Sequence, residues 1–484
     1  MQKFFFLILI FSFVGTTNFD FFFFQIFLYC FGAYVFDEAR SAKQNPHKHL
    51  YTRIRGKWYD LATFTHPGGP VALNLVKDRD GTALFESHHL IVSSNKMQKL
   101  LAKYEVNINV AKNLKTMDPN DDGAHYIWEE FHDDLFVKDL KQLLSEYFGS
   151  ITKKQSSINV YQATKADTER WCFIGFLFVS VIITSVYFYS GYYWALILWP
   201  QLSWILIANY WHDSLHFSLS TDWRVNAILP YFIPLLSSPW IWYHQHVIGH
   251  HAYTNIGHKD PDLAHAPQLM REHESIKWKP AHRNQSHWSR IALIWSVSVG
   301  IGLNVLSDLR ANLKLKYNNV VPYAKLSKPR MMIHIFGRFV YVALIFLWPF
   351  LRFHFWKAVV WSVFPIASFG ISFMINSQIN HLVDECSNAS DTNFLIHQVK
   401  TAQNFGRNSL FCYLYSGGLN YQIEHHLFPF VNHCHLPKLA PSVKHICLKH
   451  GVPYHEAEGY FDAFKRHILH TQSMGKNPSK EKTN

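Results

Sequence analysis

Five stretches of this 484-residue chain, at 171–189, 191–210, 289–306, 331–350 and 357–376, are apolar over lengths near those needed to cross a bilayer. A spanning helix needs about 20 predominantly apolar residues, and a backbone in hydrocarbon must satisfy its own polar groups. The chain is therefore expected to be an α-helical membrane protein, and a composition of 49% hydrophobic and 17% aromatic residues agrees. The uncharged turn at Ser190 and Gly191 pairs the first two stretches as a hairpin, and the turn RFHFWK pairs the last two. The stretch 289–306 is left unpaired and is interrupted by Ser296, Ser298, Gly300, Gly302 and Asn304. It reads as interfacial or re-entrant, as does the Pro-containing AILPYFIPLLSSPWIW at 227–242. About four transmembrane helices plus interfacial helices are predicted.

The formal net charge is +12. Basic residues are scattered beside the apolar spans and form no stripe, which argues for a lipid surface and against nucleic acid. Lys153, Lys154, Lys165, Arg224, Lys277, Lys279, Arg310, Lys314, Lys316 and Arg330 fall on one side of the predicted topology, expected to be cytosolic; Arg352 and Lys357 occupy an opposite turn. Six cysteines show no CxxC pair and no framework spacing, so a reduced, cytosol-facing protein is expected.

Composition also divides the chain. Residues 1–35 are almost wholly apolar and read as a signal sequence, an anchor or a misassigned first exon. Residues 36–148 carry scattered charges and short apolar runs, as a small soluble domain would. A polar connector at 149–170 leads to the membrane region at 171–470, and a polar tail at 471–484 ends in KEKTN, which fits a KxKxx retrieval signal for the endoplasmic reticulum.

Histidine is the second anomaly, with 31 in the chain. WHDSLH places His212 and His216 four residues apart, on one face of a helix. HVIGHH does the same with His246 and His250 and adds His251; QIEHH supplies Gln422, His425 and His426. Each cluster lies just beyond an apolar segment, and they can share a site if an even number of crossings separates them. His381, in NSQINHL after the last span, joins them as a polar residue that is costly at membrane depth unless functional. So many imidazoles point to two metals, although imidazole suits iron, copper, zinc or nickel alike.

In the soluble region HPGG at 66–69 lets the chain turn tightly while His66 projects, and His89 follows a helix-compatible run. Two imidazoles on opposite faces of a haem need apolar walls, which Tyr59, Phe64, Leu73 and Phe85 can supply; a plain turn with a surface histidine would look the same. GKWYDLATFTHPGG followed by DGTALFESHH resembles the cytochrome b5 haem domain, a small α+β fold, and that resemblance makes His66 and His89 the axial ligands of haem b. The spacing is one residue tighter than the family's, so His88 competes; the offset from Thr82 and Phe85 favours His89.

The motifs HxxxH, HxxxHH and QxxHH, in that order after a cytochrome b5-like domain, resemble the front-end fatty-acyl desaturases. The resemblance implies two non-haem irons held by His212, His216, His246, His250, His251, His381, His425 and His426. It also implies O2 as co-substrate, and electrons passed from NADH through a cytochrome b5 reductase to the fused haem domain. Asp213, Gln422 and Glu424 are expected to orient ligand imidazoles; His244, His258 and His265 are expected beside the ligands or in solvent. WYHQHVIGHHAYTN and GGLNYQIEHHLFPFVNHCHL look most like the Δ5 type acting on twenty-carbon polyunsaturated chains, carried on CoA or phospholipid. Δ4, Δ6 and Δ8 desaturases, sphingoid-base desaturases and lipid hydroxylases share these motifs, and a membrane haem electron carrier is the rival of a different class.

Overall fold

The computed structural model describes residues 49–117, 128, 134–232, 238–318, 320–323 and 326–478. The apolar segment 1–35 and the KEKTN tail lie outside the described residues. Apart from three two-stranded pairings, all regular structure is helical.

The amino-terminal module opens with strands β1 (Tyr51–Ile54) and β2 (Lys57–Asp60), antiparallel with Tyr51 opposite Asp60. Arg55 (φ 51°) and Gly56 (φ 75°) both take left-handed backbone, the two-residue turn that matches strand twist. Helices α1 (Pro70–Val76) and α2 (Thr82–His88) follow. Ile54, Tyr59, Leu61 and Leu73 form a small core with Phe64 and Phe85, so the four residues expected as walls do gather.

Helix α3 (Leu135–Lys154) departs from the expected boundary at residue 148. Its apolar stripe Phe136, Leu140, Leu144 and Phe148 packs into one core with Leu436, Leu439 and Val443, and Asp139 pairs with Lys449 and His450. This helix thus belongs with the carboxy-terminal region. The connector is likewise part of the fold. Lys165 is buried, its ammonium donating to the carbonyls of Phe217 at 3.0 Å and Phe430 at 3.1 Å.

Among the described residues three helices are long and apolar enough to cross a membrane: α4 (Thr168–Tyr189), α7 (Lys328–Arg352) and α8 (Phe355–Gln378). Phe176, Val179, Ile183 and Val186 of α4 project outward on one face, a row of apolar side chains that suits lipid. Helix α5 (Tyr193–Leu206) is shorter and contains Pro200 and Gln201; it packs along α4 and continues through a π-helical segment, Ile207–Trp211, to Leu215. The expected hairpin is therefore present, with α5 a regular helix of 14 residues before the π-helical continuation.

The segment expected to be interfacial forms helix α6 (Trp288–Val297) and bends onward by 48° into 305–314; counted as one, the bent pair is a fourth candidate span. Its small residues serve close packing. A Cβ on Gly300 would collide with Ile366, and one on Gly370 of α8 would meet the Trp295 carbonyl at 2.8 Å. Tyr341 donates to the Gly300 carbonyl at 2.8 Å, taking up an acceptor at the bend. Near the end of the chain, β3 (Gln403–Phe405) pairs in parallel with β4 (His455–Ala457), and helix α10 (Tyr460–Met474) runs past the expected boundary at 470, with Thr471 buried.

Two outcomes follow from this packing. Gly370→Val should force α6 and α8 apart and cost about 1–3 kcal/mol, read as a lower thermal midpoint in detergent. Burial lowers the Lys165 amine from 10.5 to about 7. The folded state thus sheds a proton that the unfolded chain keeps until about pH 10, so this residue makes stability rise with pH from about 7 to 10, by up to about 1.4 kcal/mol per unit. Lys165→Met should remove that slope in denaturation series at several pH values.

Candidate functional site: two histidine groups and a paired imidazole module

The three histidine motifs and His381 converge on one buried place. His212, His216, His246, His251 and His425 form one group, and His250, His381 and His426 a second, with ligand-capable atoms within 4.8 Å of one another in each. All eight residues predicted from sequence are here, and all are buried.

Local backbone explains the partition. His212 and His216 lie four apart on a helical turn, rings 4.7 Å apart, as expected. The segment Tyr243–His250 is π-helical, and its wider turn aligns residue i with i+5. His246 Nε2 therefore lies 3.1 Å from His251 Nε2, while His250 turns to the second group, 4.7 Å from the His381 ring. His246 and His250 remain neighbours, their rings stacked 5.4 Å apart and grouped with Asp262, while the i, i+5 pairing joins His246 to His251. Helix α9 (Gln422–Leu427) divides its adjacent histidines, sending His425 to the first group and His426 to the second.

In the second group each imidazole is held from outside through Nδ1. His250 meets Asp260 at 3.1 Å, His426 the Gln398 Oε1 at 2.8 Å, and His381 the Thr401 carbonyl at 2.8 Å. This fixes each ring and presents Nε2 inward, as metal-binding histidines do. In the first group the Nε2 atoms of His212, His246, His251 and His425 approach successively at 3.0, 3.1 and 3.1 Å. Both ring nitrogens of His216, Nδ1 of His212 and His251, and Nε2 of His426 have no hydrogen-bond partner among the described residues despite burial. Unpaired buried nitrogens at this density are costly unless something coordinates them. The donor set fits a metal pair.

Asp213 does not orient His212 by a close bond; the two are 3.9 Å apart. Its carboxylate lies 3.1 Å from His433 Nδ1, and His433 Nε2 lies 3.1 Å from His425 Nδ1, so His433 links Asp213 to a member of the first group. The sequence reading missed His433, which sits in VNHCH seven residues after His426, without the three- or four-residue spacing that marked the others. Burial holds its imidazole down at about 4, against the raising effect of Asp213. Arg170 completes the base, donating to Asp213 at 3.1 Å and to the Asn209 and Gly417 carbonyls at 3.1 Å. Gln422 places its amide nitrogen 2.9 Å from His381 Nε2 and accepts from Asn380 at 3.2 Å. Glu424, expected to orient an imidazole, turns away to Asn404 and Tyr454, each at 2.8 Å; burial pushes its carboxyl up to about 7. His244 is buried on the Trp240 carbonyl, His258 is exposed, and His265 lies 3.9 Å from Asp262, so none of the three joins either group.

In the amino-terminal module the His66 and His89 rings face each other, centroids 5.9 Å apart and nearly perpendicular. His89 Nδ1 is tied to the Phe85 carbonyl at 2.8 Å and His66 Nδ1 to the Gly68 amide at 3.0 Å. His88 is held instead by the Leu84 carbonyl at 3.1 Å and Ser87 at 2.9 Å, outside that pair. Burial lowers His66 to about 4, keeping a neutral imidazole.

Residues 184–458 match the family described as Fatty acid desaturase, and residues 37–107 the Cytochrome b5-like Heme/Steroid binding domain. The chain belongs to the fatty acid desaturase family. The expected likeness to cytochrome b5-fused front-end desaturases holds, and the desaturase is an oxidoreductase whose fused domain implies haem and whose family implies a di-iron site. It is 27% identical over 468 residues to Delta(5) fatty acid desaturase A of Dictyostelium discoideum, covering 91% of this chain and 94% of that protein. It is 26% identical to the acyl-lipid (8-3)-desaturase of Mortierella alpina, covering 92% and 98%, and 28% identical to the acyl-lipid omega-13 desaturase of Chlamydomonas reinhardtii, covering 87% and 92%. No solved structure matches the desaturase.

Removing Arg170 should leave the buried Asp213 charge short of its main cation. Arg170→Met is expected to cost about 3–5 kcal/mol in denaturant unfolding, and adding Asp213→Asn should recover part of the loss.

Proposed function

We propose that this desaturase inserts a cis double bond on the carboxyl side of an existing one in a polyunsaturated acyl chain, with Δ5 chemistry on twenty-carbon substrates. Supporting this are relatives named Delta(5) and (8-3) desaturases that align over nearly the whole chain, including the cytochrome b5-like module. The observation that carries the reaction type is the pair of buried histidine groups with inward, partnerless ring nitrogens.

In this reading His212, His216, His246, His251 and His425 would hold one iron, and His250, His381 and His426 the other. When bound, the iron pair supplies O2 activation strong enough to break an unactivated C–H bond. The chain's own residues do the rest. Asp260, Gln398 and the Thr401 carbonyl hold three imidazoles at Nδ1, and Asp213 steers His425 through His433. The apolar core around Trp211, Trp242, Phe369 and Phe373 excludes water beside them. His66 and His89 would hold a haem, which would supply one-electron transfer from an NADH-dependent reductase. The site would face the cytosol from the endoplasmic reticulum membrane, on the side where most Lys and Arg residues flank the spans.

The decisive test is expression in a yeast lacking these fatty acids, fed defined acyl chains, with the new double bond located by mass spectrometry. Δ5 products are expected from a chain binding about two non-haem irons per haem. His216→Ala, His250→Ala or His426→Ala should abolish product and lower iron while the haem spectrum persists, and His66→Ala should remove the haem band. Product surviving all three iron-side changes would refute the ligand assignment; a double bond elsewhere, or a hydroxyl group, would redirect the regiochemistry or the reaction.

A further inference from the structure

A haem domain on a connector is ordinarily pictured as tethered, meeting its acceptor by local diffusion. Here it is docked. Gly69 of the HPGG turn has φ +85°, and the indole of Trp223 occupies the place a Cβ would take. The Arg79 guanidinium donates to the Pro322 carbonyl across the same boundary. Val71 and Leu75 of α1 share one core with Trp211, Leu215 and Tyr243. On the other side of the module, Ala83 and Leu90, which bracket the paired-histidine segment, share a core with Ala252, Leu427 and Phe428, and α2 packs against the turn His251–Tyr253. The residues carrying the module's second axial histidine thus meet the segments carrying His251 and His426.

His88 lies at this junction. It is covalently next to His89, and it ends α2, the helix that packs against the turn His251–Tyr253. Its ring is locked by the Leu84 carbonyl and the Ser87 hydroxyl. No haem ligation occupies it in this arrangement, because His66 faces His89.

We propose that the haem domain delivers electrons from this one docked pose, and that His88, at the end of α2, is the positioning residue linking the haem ligand His89 to the segment that carries the iron-side residue His251. The inference rests on the desaturase reading. Each transfer moves one electron from ferrous haem, which becomes ferric, to a ferric non-haem iron, which becomes ferrous; NADH, through its reductase, reduces the haem again. Two such transfers together with the two electrons of the cleaved C–H bonds reduce one O2 to two waters, with two protons drawn from solvent. Because electronic coupling decays steeply with separation, a fixed route through adjacent imidazoles would set the transfer rate.

The test uses the full-length holoenzyme in phospholipid nanodiscs, with haem reduced by NADH and reductase and its reoxidation followed by stopped-flow absorbance after mixing with O2 and acyl substrate. His88→Phe, or His88→Gln if the first folds poorly, should slow reoxidation at least tenfold. The static haem spectrum, iron content and rate of haem reduction by the reductase should stay at parent values. Trp223→Ala combined with Arg79→Ala should raise hydrogen exchange in residues 66–76 and slow reoxidation too. Parent-like reoxidation in both His88 variants overturns the relay. Unchanged exchange in the Trp223/Arg79 variant, or opened exchange with parent-like reoxidation, overturns the fixed pose. Parent haem whose reoxidation ignores acyl substrate would instead sink the desaturase reading, which separates the two failures.

Discussion

Neutral imidazole has one donor and one acceptor, and eight of them buried within contact of one another cannot all charge, since each imidazolium would repel its neighbours in a medium that screens poorly. The site is built to that constraint. Each outward N–H needs an acceptor, and Asp260, Gln398 and the Thr401 carbonyl provide three. Each inward lone pair needs an electrophile, and several have none in the protein. Metal coordination satisfies these nitrogens without adding protons, so the polar interior is stable as a holo site and expensive as anything else.

Placing such a cluster beside hydrocarbon requires helices that bring polar residues to their ends at controlled angles. Two π-helical segments do this, Ile207–Trp211 just before His212 and Tyr243–His250 within the second motif. A π turn widens the helix and re-aims the residues after it, at the cost of poorer backbone bonding, and such segments collect at functional sites. The base is tied by charge. Arg170, at the start of α4, reaches Asp213, which in turn reaches His433, so the first span, the first motif and the loop after the third motif share one buried network. The close approach of α6 to α8 at Gly300 and Gly370 holds the opposite wall.

Short-range spacing made the clustered histidines legible, because HxxxH on a turn of helix states its geometry in five letters. Which group each histidine joins was not legible, since π register depends on tertiary packing around Trp240–His250 rather than on local propensity. His433 was invisible because its partners, Asp213 and His425, lie 220 and 8 residues away in a loop of no fixed period. Ser296, Ser298, Gly300 and Gly302 read as helix breakers in isolation, yet Ser296 and Gly300 are where α8 comes into contact, through Gly370 and Ile366; small residues carry opposite meanings in water and between membrane helices. Lys165 and α3 were assigned to a connector and to the amino-terminal module for a similar reason. Charge density along the chain predicts exposure on average, and says nothing of one lysine capped by two distant carbonyls.

Gln422 shows how the same constraint shapes the third motif. His381 gives its Nδ1 to the Thr401 carbonyl, so its Nε2 is the lone-pair nitrogen, and the Gln422 amide donates to it at 2.9 Å. The amide oxygen is engaged by Asn380, itself bonded to the Asn376 carbonyl at 3.2 Å, so Gln422 cannot rotate freely without losing a buried bond. An uncharged amide can therefore hold the His381 ring toward the second group and yield that nitrogen to a metal. A carboxylate in the same place would have no proton to donate to Nε2 at neutral pH and would add a buried negative charge beside Asn380, whose own amide already serves three acceptors. The glutamine that opens the motif is thus the side chain that satisfies His381 in either state.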